Sequence, residues 1–427
     1  MKKFTKVLGS VAIAAAMTLT ACAPGTSDTS DAPKQNTDSK ELTYLYFTDG
    51  PDQQATENLI KKFEESSGAK VKLEIVPFDN LEQTLQARLS GDNAPDVARL
   101  SSLSAFKSDL LDLNQFKSDE LEGKFLPGAE TYTHGDKGEL LAVPSDLTMN
   151  GPIINTDQFE KAGVPVPTAE NPWKSWQEMA DAAKKVKEAN GTEYGLAMDV
   201  SAHRFSTMLS QYGTTLYGPD GKTVALDTTK AASAIAEFND LNQAGLMPKD
   251  LFIQSGSKYK AASDIFLAQQ TPIYLSGNWQ VAAFDQKAKF GWKAVPNPCQ
   301  ERCGGFPGGK FMAGFKQSKN QQLAADFIAF MNSAESQKQM SNEANFLPTR
   351  TDLIESGVSY DKRGDDMKVF LDDVKKTPED TYGTTYSDGF TPAGKVLTKE
   401  VSAVLTGTGT PEGAAAAIKE GAEKALK

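Results

Sequence analysis

At 427 residues the chain is long enough for two hydrophobic cores, because a single core stops growing at about 250–300 residues. Its 56 Asp and Glu against 45 Lys and Arg give a net charge of −11. That acidity argues against a nucleic-acid partner, whose phosphates need basic side chains, and only 2 His are present to serve metal binding or acid–base catalysis.

The chain opens with Lys2, Lys3 and Lys6, followed by an uncharged run from Val7 to Thr20. A membrane-crossing helix needs about 20 mostly apolar residues. This run is shorter and broken by Gly9, Ser10, Thr18 and Thr20, so residues 1–21 read as a signal peptide, basic, then apolar, then small. It closes on Leu19-Thr20-Ala21-Cys22, which resembles the bacterial lipobox. That resemblance implies a lipoprotein, cleaved before Cys22 and diacylated on its sulfur. Cleavage removes three lysines and no acids, taking the net charge to −14. Residues 22–40 hold no large apolar side chain and are rich in Ser, Thr, Asp and Pro, so they are expected to be a flexible tether. The expected location is the outer face of the cytoplasmic membrane, reached through the lipid alone.

Beyond the tether, Glu41 to Thr48 reads as a strand. Asp52 to Ser67 carries Ala55, Leu59, Ile60 and Phe63 on one helical face and stops at Gly68. Lys70 to Val76 alternates Val71, Leu73 and Ile75 with charges, as a strand with one buried face does. Asp79 and Glu82 are spaced as a capping box for a helix ending at Ser90, and Asp96 to Leu100 reads as a third strand. This alternation predicts a parallel sheet covered on both faces. It recurs later. Ser175 and Glu178 form a second capping box, Asp227 opens a helix stopped by Gly245, and Ile273 to Ser276 is a short strand. Helices follow near Asn278–Lys287, Asn320–Met331, 392–405 and Pro411–Leu426. The fold class is α/β, with two lobes that each have a sheet.

Several ordered segments carry a family resemblance: KFEESSGAKVKLE, GDNAPDVARL, GELLAVP with IINTDQFEKAGVPVP, IYLSGNWQ, KQSKNQQLAADFIAFMNSAESQKQM with FLPTRTDL, and the TGTGTPEGAAAAIKEGAEKAL tail. In this order they resemble the family-1 extracellular solute-binding proteins of ABC importers, relatives of maltodextrin-binding protein. One departure is Ile154 before Asn155, where the family often has Tyr. The resemblance implies a two-lobed fold with ligand in the cleft. The N-terminal lobe would hold 41–150 and 312–350, and the C-terminal lobe 151–311 and 351–427. It also implies a sugar or oligosaccharide ligand, permease subunits of an ABC transporter as partners, a monomer, no cofactor and no metal.

Within that frame Trp279 is the strongest ligand candidate, since a flat aromatic can hold the apolar C–H face of a sugar while hydrogen bonds read its edge. The alternative is a core Trp packing the next helix, as expected for Trp173, Trp176 and Trp292. Asn278 precedes Trp279 in the SGNW turn. Asp49 follows the first strand at its carboxyl end, where open α/β sheets place ligands, though a solvated turn would also explain it. Asp146 falls on the first crossover, and His203 with Arg204 precedes the apolar run FSTMLSQYG. Tyr386, Asp388 and Phe390 form an aromatic–acid–aromatic cluster, and Gly308 and Gly309 fall at the second crossover, where backbone could approach ligand. Cys299 and Cys303 are close enough for a small disulfide outside the cell, with zinc as the rival.

One motif is a decoy. Gly304 to Lys310 has phosphate-loop spacing, but Phe311 stands where Ser or Thr should hold magnesium, and Pro307 interrupts the loop. The chain has neither a G-x-S-x-G elbow nor H-E-x-x-H. A binding module is therefore favoured over an extracellular glycoside-acting enzyme. A second alternative is a non-sugar binder of the same family.

Overall fold

The computed structural model describes residues 40–199, 201–248 and 261–427. The segments read as signal peptide and tether, Cys22 included, lie outside the described residues apart from Lys40.

Strands β1 (Glu41–Tyr46), β2 (Lys70–Ile75) and β3 (Val97–Leu100) are parallel, with β1 in the middle. The helix Gln53–Ser67 crosses from β1 to β2 and buries Ala55, Leu59, Ile60 and Phe63. It ends where Gly68, at φ 69°, returns its N–H to the Glu64 carbonyl, a left-handed cap that glycine adopts without strain. Two expectations fail nearby. Asp79 and Glu82 make no capping box, because a 3-10 turn over Phe78–Asn80 precedes the helix Leu81–Ser90 and Asn80 occupies the cap without a side-chain bond. Ile75 is 41% exposed, because β2 is an edge strand of the sheet and none of its residues is fully buried.

β4 (Val143–Asn155) runs 13 residues. β5 (Leu196–Met198), β6 (Ile273–Gly277), β7 (Trp292–Ala294) and β8 (Pro307–Gly314) complete the set among the described residues. The hydrogen-bonded order is β2-β1-β3-β8-β4-β6-β5, with β7 also on β4. β5 and β6 are parallel, whereas β8 and β4 run antiparallel to their neighbours. The all-parallel reading is therefore corrected to a mixed sheet. β4 is long enough to serve both halves: it pairs with β8 up to Met149 and with β6 from Asn150 onward. The two halves are thus joined by a continuous ladder rather than by loops alone.

Each half has a core. In one, Leu42, Tyr44, Phe63 and Val97 pack with Phe327 and Ile328 of the helix Gln321–Met331. In the other, Trp176, Met179, Phe205, Phe238, Leu397 and Ile418 are drawn from five helices. Ser175 caps the first of these, its hydroxyl accepting the Glu178 N–H at 3.0 Å, and the Glu178 carboxylate accepts the Lys174 N–H at 2.7 Å. Trp173, Trp176 and Trp292 are buried. Cys299 and Cys303 are joined by a disulfide. Pro307 opens β8, so the GGFPGGK segment runs into a strand, with no helix N-terminus to hold a phosphate.

Candidate ligand-binding cleft

A cavity of about 440 Å³ lies where the two halves meet. Nine of the eleven residues read as ligand contacts line it: Asp49, His203, Arg204, Trp279, Gly308, Gly309, Tyr386, Asp388 and Phe390. Asp146 and Asn278 do not, and each is occupied elsewhere. Asp146 is 4% exposed, with both carboxylate oxygens taken by Arg99 at 2.9 and 3.1 Å. Asn278 is 2% exposed, and its Oδ1 accepts the Met149 N–H at 2.9 Å where β4 passes from β8 to β6.

Trp279 lies in the 3-10 turn Asn278–Gln280 that follows β6 and is half-buried. Gly277 makes room for it, since a Cβ there would collide with the indole. The Arg204 guanidinium stacks over the ring, 4.2 Å from its centroid. Arg204 also donates to Asn150 Oδ1 at 2.7 Å and lies 3.6 Å from Asp199, which Tyr274 and Ser276 hold by their hydroxyls. Asn150 in turn donates to the His203 carbonyl and to Thr207 Oγ1, pinning the helix Ala202–Gln211 to β4. The His203 ring packs edge-on to Phe390 and Phe306. Burial there, with the nearby Arg204 and Lys310 charges, pushes its pKa down to about 3. The neutral ring keeps one donor and one acceptor nitrogen.

On the opposite wall the Asp49 carboxylate lies 3.0 Å from Lys310 Nζ and 3.3 Å from Arg99. Burial would raise its pKa, but the two cations outweigh it and hold it at about 2. Gly309 lines the cavity on β8, yet the room left by its absent side chain is taken by the Tyr386 hydroxyl. Tyr386 ends the helix Glu379–Tyr386 and packs against Phe311 and Tyr132. At the rim Lys107 and Asp388 pair at 2.8 Å.

Reading the sequence alone overlooked Phe78, Lys310, Asn150 and Tyr132, all of which line the cavity. Phe78 left a signal, an aromatic ring between polar neighbours, and it is 52% exposed. Among the described residues no group of three or more His, Cys, Asp or Glu is placed to hold a metal.

Residues 58–365 match the family described as bacterial extracellular solute-binding protein. The chain belongs to that family. This solute-binding protein is 25% identical over 337 residues to the arabinooligosaccharide-binding protein of Bacillus subtilis, covering 74% of this chain and 75% of that one. It is 23% identical over 399 residues to the sn-glycerol-3-phosphate-binding periplasmic protein of Rhizobium meliloti, covering 86% and 89%. Among solved structures, the GacH receptor of Streptomyces glaucescens, studied unliganded and with acarbose, matches with a TM-score of 0.74 at 22% identity, covering 90% of this chain and 98% of that one. At such identity the likeness concerns the two-lobed α/β fold.

Proposed function

We propose that this solute-binding protein captures a neutral oligosaccharide in the cleft and delivers it to the permease subunits of an ABC importer, with no chemistry or cofactor of its own. The observation that carries the reading is an aromatic platform, Trp279, set among charged groups that, apart from the exposed Glu82, are paired with one another. Lys107, Arg204 and Lys310 line the cavity, and each lies within 4 Å of a carboxylate. A phosphate ligand wants cations free to turn toward it, and a polyamine wants unpaired carboxylates. A sugar wants acceptors and donors for its hydroxyls plus an apolar wall. The glycerol-phosphate relative favours a second reading, phosphate capture, and the paired cations oppose it.

The lobe limits we propose are 41–150 with 312–350, and 151–311 with 351–427. The change of partner along β4 at Met149 and Asn150 supports the first boundary. We also propose that a lipid on Cys22, followed by the tether 22–40, keeps a monomeric body at the outer face of the membrane.

The test is a thermal-shift screen of the intact protein with arabinotriose, diacetylchitobiose, maltotriose and sn-glycerol 3-phosphate. A ligand at 100 times its Kd adds about 2.7 kcal/mol to stability. A shift with at least one sugar, recovered uncut by chromatography after long incubation, supports the proposal. A shift with glycerol phosphate alone, or cleavage of the sugar, overturns it.

A further inference from the structure

β3 reads Val-Ala-Arg-Leu, and all four residues are buried, Arg99 at 1% exposure. A buried guanidinium is costly unless its donors are satisfied, and here they are placed with care. Arg99 Nε and Nη2 fork onto Asp146 at 3.1 and 2.9 Å, Nη1 donates to the Phe47 carbonyl at 2.7 Å, and Nη2 also donates to Asp49 Oδ2 at 3.3 Å. The Tyr46, Phe47 and Phe346 rings surround its Cζ at 5.1, 4.5 and 5.2 Å. Lys310 Nζ meets the same Asp49 oxygen from β8, while Asp49 Oδ1 makes no hydrogen bond among the described residues.

We infer that Arg99, which does not itself line the cleft, is the positioning residue for Asp49: it grips Oδ2 from behind and leaves Oδ1 to accept a ligand hydroxyl. The grip is anchored to the strand that joins the lobes, because Asp146 sits on β4 beside a register shift after Pro144. The identity of the ligand rests on the neutral-sugar reading; the grip rests on geometry alone. The charged and titratable groups around Asp49 come from every packed element. Cations are Arg99 on β3, Lys310 on β8 and Arg204 on the helix Ala202–Gln211. Acids are Asp146 on β4 and Asp52, which accepts the Asp49 N–H at 3.3 Å and the Tyr46 hydroxyl at 2.6 Å. The depressed Asp49 pKa fits this arrangement.

Lysine cannot replace the fork, since one ammonium cannot hold Asp146 bidentately and reach Asp49 as well. Arg99→Met alone would strand a buried carboxylate, so the informative variant is Arg99→Met with Asp146→Asn, which removes both halves of the pair. Selective 13C labelling of aspartate, with Asp49→Asn for assignment, follows the Asp49 carboxyl through a pH titration without any ligand. We expect it to become a weaker acid by about tenfold or more, one pH unit, in the double variant, with Arg99→Lys between. Calorimetry with arabinotriose, diacetylchitobiose and maltotriose reads the consequence. Wild-type affinity should hold constant as pH falls from about 7 to 4.5, while the double variant binds about 10- to 100-fold more weakly at both ends of that range. A folded double variant with Asp49 titrating as in wild type overturns the grip, as does one that binds sugar normally at both pH values. If none of the three sugars binds the wild type, the sugar reading fails, and the titration still decides the role of Arg99.

Discussion

Replacing Trp279 by Ala tests the cleft most directly. One face of the indole is covered by Arg204 at 4.2 Å, which leaves the other for ligand. A buried Trp side chain hides about 150–250 Å², so one face offers about 80–100 Å². At about 25 cal/mol per Å² that surface is worth about 2–2.5 kcal/mol. Truncation also removes the stacking surface from Arg204, whose Nε has no hydrogen-bond partner, so the guanidinium is less well held for ligand. The expected loss is therefore about 2–4 kcal/mol, roughly 30- to 1000-fold in Kd, against a starting affinity near micromolar. Folding should survive, because Trp279 is half-buried and belongs to none of the hydrophobic clusters. Isothermal calorimetry with a sugar found in the thermal screen measures the change, and circular dichroism checks the fold. An unchanged Kd in a folded variant would refute the stacking argument.

Phe78→Ala should leave stability within about 0.5 kcal/mol, because the ring is largely exposed, yet weaken sugar binding by about 1 kcal/mol, roughly fivefold; equal affinities by calorimetry would remove Phe78 from the site. Asp373 is buried, and desolvation raises its pKa to about 6 despite bonds from Asn297, so it stabilises the protonated fold below about pH 4, and that contribution, about 3 kcal/mol, is lost as pH rises to about 6. Asp373→Asn should flatten this slope in urea unfolding at pH 4, 5, 6 and 7, and parallel curves would count against it. Saturating sugar should lower the radius of gyration in small-angle scattering as the lobes close. The rim pair Lys107–Asp388 is too exposed to hold them shut alone, and an identical profile with and without sugar would refute closure. Cys22→Ala should release the protein into the medium or leave it unprocessed, and normal membrane anchoring of the variant would rule out the lipid.

The fold was legible where a local rule had no competitor. Gly68 ends its helix because glycine takes the left-handed cap without strain, and Asp227 opens its own by accepting from Thr229 and Lys230. Asp79 had the same local credentials as Asp227 and failed, because the preceding Pro77 leads into a 3-10 turn that shifts the helix start to Leu81. The parallel reading failed for a different reason. The run of β4 says nothing about its partners, and those partners, β8 and β6, come more than 100 residues later.

For the site, several candidates that reach the cavity follow a strand or open a helix: Asp49 after β1, Trp279 after β6, His203 and Arg204 at a helix start. Such positions put side chains at the edge of a layer whatever the neighbouring lobe does. Asp146 could not be judged this way, because its role is decided by Arg99, 47 positions earlier. Yet Arg99 carries its own signal in hindsight: an arginine inside a four-residue apolar strand must have an acid partner, and the choice of acid fixes which carboxylates remain for ligand. Asp146 surrenders both oxygens to the fork, whereas Asp49 gives up one and keeps one. That asymmetry separates two aspartates with equal standing in the sequence, and it leaves the unbonded carboxylate oxygen on the strand end that faces the cleft.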